Sequence, residues 1–251
     1  MKQQKLISKS KRLLSLLLSL AIIAGLVSTP SSFMPERLSP FAVNAAATTL
    51  DNTNSAVSSS GIITWWGGTE TEILIPKEIN GITVTGIGDR VFMGKGLTSV
   101  AFEPGAPIET IGEQAFQSNE LTELALPGTV VSVGEAAFAF NSISTLDLNE
   151  GLVTLGENAF RSNTLTAVAL PAALAQIPAG AFMLNPGLKS VNLDAVTAIG
   201  DRAFFGCDFD DVELPPGLTA YGAEVFAHNK KYVVITGSAL AKTYTSPGQF
   251  G

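Results

Sequence analysis

Seven phenylalanines, Phe92, Phe116, Phe138, Phe160, Phe182, Phe204 and Phe226, recur at spacings of 24, 22, 22, 22, 22 and 22 residues. A fixed period of twenty-odd residues is the mark of a solenoid, in which each unit packs on its neighbours and none has a core of its own. Solenoids present long surfaces, so the period favours binding over catalysis.

Aligned on phenylalanine, the unit is I-G-x-x-A-F-x-x-N-x-L-T-x-L-x-L-P-x-x-L-x-x. Ile111 to Ser132, Val133 to Thr154 and Leu155 to Gln176 follow it without a gap. The copy from Ile87 carries two extra residues near Glu103–Pro107. The copy from Ile177 gains one at Pro186 and loses one before Ile199, and a last copy starts at Tyr221 and fades after Ile235. Leu121–Leu126 alternates with period two and stops at Pro127, so it predicts a short strand. Its counterparts are Leu97–Phe102, Ile143–Leu148, Leu165–Leu170, Leu188–Leu193 and Phe209–Leu214, stacked into one parallel sheet. The I-G-x-x-A-F segment is too short for a helix and predicts a 3₁₀ or α turn that drops the phenylalanine inward. Its glycines permit the corner, and the acids after them, Asp89, Glu113, Glu135, Glu157 and Asp201, cap the turn. Three residues past phenylalanine, Asn119, Asn141, Asn163, Asn185 and Asn229 predict a ladder of amides bonding backbone groups of the same or next coil. Lys95 and Cys207 interrupt that ladder, Cys207 as a small buried substitute.

The whole is an α/β solenoid of about seven 22-residue coils, with one parallel β-sheet and short helical turns opposite. At about 4.8 Å per strand it is a rod on the order of 35 Å long. Gly61–Gly68 followed by Thr71–Pro76 predicts a β-hairpin, and residues 61–85 form the N-terminal cap. Trp65 and Trp66 cover the first coil in this reading; a sugar-stacking platform is the alternative. Residues 86–236 are the solenoid, and residues 46–60, rich in Ala, Thr, Asn and Ser, are a disordered leader. Residues 237–251 are a C-terminal cap and tail, with one helical turn over Gly237–Tyr244.

Lys2, Lys5, Lys9, Lys11 and Arg12 precede an uncharged run from Leu13 to Val27, the order of an export signal cut after Ala45 or Ala47. The apolar run, about fifteen residues, is short of the roughly twenty that span a bilayer. Of 15 Lys/Arg and 22 Asp/Glu, six and one fall in residues 1–45, which leaves nine against 21 and a net charge near −12. Such a surface repels phosphate, so no nucleic acid is expected as partner, and no membrane after signal removal. One cysteine excludes an intrachain disulfide.

Leu-x-Leu-Pro-x-x-Leu-x-x-Ile-Gly-x-x-Ala-Phe, seen with small variations from Leu124 to Phe138 and from Leu146 to Phe160, resembles the BspA-like leucine-rich repeat family of bacterial surface proteins. The resemblance covers residues 71–236. It implies a leucine-rich repeat stack, export, and adhesion to host matrix proteins, other cells or the organism's own envelope. Many members carry cysteine where this chain carries asparagine, and the family has no fixed catalytic residues to transfer.

A single histidine, His228, leaves little for acid–base or nucleophilic chemistry, and no phosphate-cradling glycine motif occurs. The chain is therefore read as a non-enzyme with no cofactor and no metal, and a polysaccharide-active enzyme is the remote alternative. Asp208, Asp210, Asp211 and Glu213 are read as a solvated acidic edge, with a weak calcium site as the alternative. If the alternating leucines point in, Glu123, Thr145, Asp147, Ser190, Asn192, Asp211 and Glu213 point out, and this shallow acidic face is the candidate protein-binding surface. A spacer or envelope role within a larger surface protein is the rival reading.

Overall fold

The computed structural model describes residues 47–229 and 234–236. The export signal at 1–45 and the closing turn and tail at 237–251 lie outside the described residues.

The described chain is a parallel β-solenoid of about eight coils with no helix. Each coil carries two short strands on two walls. On the L-x-L-P wall, Glu72–Ile75 pairs in parallel with Ser99–Phe102, Glu123–Ala125 with Thr145–Asp147, Ala167–Val168 with Ser190–Val191, and Asp211–Glu213 with Val234–Thr236. The second wall is built from the I-G positions: Ile62–Trp66, Gly86–Ile87, Thr110–Ile111, Ser132–Val133 and Thr154–Leu155 run side by side. Gln176–Ile177, Ala198–Ile199 and Ala220–Tyr221 form a separate set. The one-sheet expectation is thus corrected. Two-residue strands are too short to show period two, so the second wall hides inside what looks like a corner.

Between the walls the phenylalanines form a column. From Phe92 to Phe226 successive rings lie 4.9–5.8 Å apart with planes within 10°. Coils that repeat at strand spacing put identical side chains face to face, and each offset pair adds about 0.5–1.5 kcal/mol to its burial. Leucines and isoleucines of both walls complete one continuous core from Leu50 to Phe226.

The I-G-x-x-A-F segment is a run of turns on an alternating backbone and forms no helix. Arg90, Gln114, Ala136, Asn158, Gly180, Arg202 and Glu224, two residues before each phenylalanine, have φ of 50–63°. So do Gly94, Ser118, Phe140, Ser162, Leu184, Gly206 and His228, two after it, at 55–68°. With left- and right-handed residues in alternation, every second N–H points along the stack to the next coil, while those between close turns within the coil, as Gln117 does on the Gln114 carbonyl at 3.1 Å. The N–H groups of Gln114, Phe116 and Ser118 donate to the carbonyls of Glu135, Ala137 and Ala139 at 2.8–2.9 Å, and the same triplet recurs in each coil. All these peptides point along the stack, carbonyls toward its N-terminal end.

The consensus glycines do not supply positive φ. A Cβ on Gly134 would stand 2.7 Å from the backbone of Gly112 and Glu113, and Gly112, Gly200 and Gly222 meet their preceding coils as closely. They allow coil-to-coil approach. Two of the acids after them reach beyond their own turns: Asp89 and Asp201 accept from the N–H of Glu113 and Ala223 in the following coil, at 2.8 and 2.7 Å.

The asparagine ladder forms, bonding its own coil as expected and, across the stack, the preceding coil. Asn163 donates to the carbonyls of Phe138 and Phe160 and accepts from the N–H of Ile143 at 3.0 Å. Asn119, Asn141, Asn185 and Asn229 repeat the pattern.

The N-terminal end differs from the sequence reading. Residues 47–60 are not a disordered leader. Thr48–Thr49 pairs with Glu72–Ile75, Ser55–Val57 pairs antiparallel with Ile62–Trp66, and Leu50 and Ser55 are buried. The hairpin therefore lies one strand earlier than predicted, turning at residues 58–61. Ile62–Ile63 occupies the I-G position beside Gly86–Ile87, and Glu72–Ile75 fills the L-x-L-P slot as expected.

Candidate binding faces

Six of the seven sequence-predicted face residues lie in strands of the L-x-L-P wall, and all seven are exposed. Parallel register places Glu123 beside Thr145 and Ala125 beside Asp147, while Leu124 is buried behind them. Ser190 stands beside Ala167, and Asp211 and Glu213 flank the buried Val212. The wall is broken into separate sets of two or three strands, so Glu123, Thr145 and Asp147 form one cluster and Asp211 with Glu213 another.

Two of the seven are already engaged. The Asn192 side-chain amide bridges to the preceding coil, accepting from the N–H of Leu170 at 2.5 Å and donating to its carbonyl at 3.0 Å. The Asp147 carboxylate accepts from the Asn149 N–H at 3.1 Å.

Asp208 departs from the acidic edge. It is buried and pairs with Lys189 at 3.5 Å, whereas Asp210, Asp211 and Glu213 are exposed. Among the described residues no three His, Cys, Asp or Glu side chains converge as metal ligands. Cys207 is buried at its asparagine position. Its thiol lies 3.4 Å from the Phe182 carbonyl, and desolvation pushes its pKa up to about 12. His228 is exposed, its ring 4.6 Å from that of Phe205.

Sequence reasoning missed two hollows. The first is a groove of about 550 Å³ on the I-G wall, lined by Val153, Leu155, Ala175, Ile177, Pro178 and Ala198. It follows from Pro178 standing where other coils have glycine. The N–H of Gly134, Gly156, Gly200 and Gly222 each donates to the coil before, and proline has none to give, so the wall parts between Thr154–Leu155 and Gln176–Ile177. The second is a cleft of about 470 Å³ beside Trp65, at the head of the phenylalanine column. Among the described residues no helix is long and apolar enough to cross a membrane.

Comparison with solved structures gives a leucine-rich cell surface protein of Faecalibacterium prausnitzii at 25% identity and a TM-score of 0.62, covering 73% of this chain and 52% of that one. The chain thus spans about half the length of that relative. A leucine-rich repeat protein of T. pallidum matches at 25% identity and a TM-score of 0.59, covering 70% of this chain and 85% of that one. A Bacteroides ovatus leucine-rich repeat protein, at 20% identity and 0.55, covering 71% and 54%, shares the fold. A comparison with curated proteins finds no match. Residues 71–189 and 109–233 match the BspA type leucine rich repeat region in six copies, and with the phenylalanine column and stacked coils in place, this chain belongs to that family.

Proposed function

We propose that the chain is an exported, non-catalytic repeat module that binds a protein partner at the cell surface, after loss of residues 1–45. One observation carries the reading: Glu123 and Asp147, and separately Asp211 and Glu213, are presented on paired, exposed strands, with the apolar residues behind them committed to the core. A backbone held in this way loses little further freedom on binding. Their charge steers toward a basic protein surface. Thr145 and Ser190 supply neutral polar contacts on the same wall, and the Asn192 amide serves coil-to-coil cohesion instead. The cell-surface relative supports the location.

The test is capture of surface and matrix proteins on the immobilised chain, followed by the charge-reversed D147K/D211K/E213K variant. Loss of the captured protein with an unchanged melting temperature supports the wall; unchanged capture removes it.

A spacer role in the envelope is the second reading, favoured by the unbroken phenylalanine column, which makes the stack stiff. A chain that captures nothing yet lengthens a surface protein in proportion to its coils would establish it.

A further inference from the structure

The cleft beside Trp65 combines three features found together nowhere else among the described residues. The first is an aromatic platform. Trp65 and Trp66 are adjacent, so strand alternation sends them to opposite sides. Trp66 is 1% exposed and heads the phenylalanine column 5.5 Å from Phe92, whereas Trp65 is 54% exposed. The indole of Trp65 folds against Gly67, where any Cβ would collide with its Cη2 and Cζ2, so the ring is seated by a glycine. The covering role expected of both tryptophans belongs to Trp66 alone.

The second feature is an open row of acceptors. In every later coil the three carbonyls of the alternating segment accept from the coil before, as those of Glu113, Ala115 and Gln117 do from Arg90, Phe92 and Gly94. The corresponding carbonyls of the first such coil belong to Asp89, Val91 and Met93. They accept no hydrogen bond among the described residues, and all three residues line the cleft.

Cations are the third. Lys77, Lys189 and Arg202 are spent on Glu103, Asp208 and Glu224. Arg90 and Lys95 form no ion pair among the described residues, and both line the cleft. Arg90 uses its Nε on the Gln114 side chain at 2.8 Å, and the Lys95 ammonium lies 5.8 Å from the Trp66 ring centre. Asp89, the one acid there, has a carboxylate oxygen committed to the Glu113 N–H.

A flat aromatic face, carbonyls in need of donors and two cationic donors match one ligand chemistry. We propose that this cleft binds an acidic saccharide. The C–H face of a sugar ring lies on Trp65, its hydroxyls donate to the carbonyl row, and its carboxylate is held by Arg90 and Lys95. About 470 Å³ falls within the range of small-ligand sites. The site is separate from the acidic wall of the protein-binding reading and does not depend on it.

Trp65 and Trp66 are the only tryptophans in the chain, so intrinsic fluorescence reports this site alone. The experiment titrates the purified chain with a galacturonate trisaccharide and, in parallel, with a neutral glucose trisaccharide. The acidic sugar should give a saturable change that weakens with salt, and the neutral sugar should bind at least tenfold more weakly. By calorimetry W65A should lose at least tenfold in affinity for the acidic sugar with an unchanged melting temperature. R90Q/K95Q should lose the preference for the acidic sugar, and D147K/D211K/E213K should bind like the wild type. No saturable response at millimolar sugar, binding that survives W65A, or equal binding of both sugars overturns the proposal. So does preferential binding of an arginine-rich peptide, which would make the carbonyl row a trap for cations.

Discussion

The three gapless coils from Ile111 to Gln176 and the irregular coil from Ile177 to Ile199 share one ring column but not one hydrogen-bond pattern. In the gapless coils both the alternating segment and the I-G wall are tied coil to coil. At Ile177 the wall is interrupted by Pro178, while the alternating segment continues: Asn158, Phe160 and Ser162 donate to Ala179, Ala181 and Met183 at 2.8–2.9 Å. The amide ladder fails one coil later, at Cys207. With no side-chain oxygen there to accept from Leu188, the Leu188 N–H turns to the carbonyl of Asn185 in its own coil at 3.0 Å, across the extra residue Pro186. The insertion and the cysteine are thus two halves of one local change. The walls tolerate interruption because column and alternating backbone hold the stack in step.

If that ranking of supports is right, the largest effect comes from the column. F160A, in the middle of the stack, should cost about 3–5 kcal/mol in urea unfolding. A loss below about 1 kcal/mol would show that the walls, not the rings, carry the stack.

Next is the amide ladder. N163A strands the N–H of Ile143 in the core, while the Phe138 carbonyl keeps the Asn141 amide, and it should cost about 1–3 kcal/mol, the cost of one buried orphan. C207A should cost clearly less, because Leu188 is already satisfied elsewhere. Equal losses would break the contrast between regular and irregular coils.

The cysteine also gives a pH signature. Burial raises its folded pKa to about 12, so above about pH 9 an unfolded chain releases a proton that the folded chain keeps. Stability must then fall as pH rises from about 9 toward 12, by up to about 1.4 kcal/mol per pH unit. Chemical denaturation of wild type and C207A across that window should show this extra slope in the wild type alone.

The smallest effect is expected at the interrupted wall. P178G restores an N–H opposite the Leu155 carbonyl and should stabilise by no more than about 1 kcal/mol, with slower hydrogen exchange at Gln176 and Ile177. Unchanged exchange would mean that something besides the missing donor parts the wall.

Legibility followed the range of the interactions. The column, the asparagine ladder and the outward residues of the L-x-L-P wall were readable, because each rests on one residue type returning every 22 positions or on simple alternation. The left-handed positions were not. Arg90, Gln114, Ala136, Asn158 and Arg202 share no chemistry; what they have in common is an N–H that donates to the next coil. Residues 47–60 misled by composition, since small polar residues signal disorder until a neighbouring strand supplies partners. Asn192 was rightly placed outside, but its bond to Leu170, 22 residues earlier, belongs to the stack and to no local pattern.

By itself the sequence determined that this chain stacks, what period it keeps and which rings fill its axis, because burial of a repeated apolar pattern has one economical solution. Which glycines serve approach instead of bending, where a wall opens, and which tryptophan remains free to meet a ligand were decided only once coils lay against each other. Those outcomes depend on backbone groups about 5 Å apart in space and more than twenty residues apart in the chain.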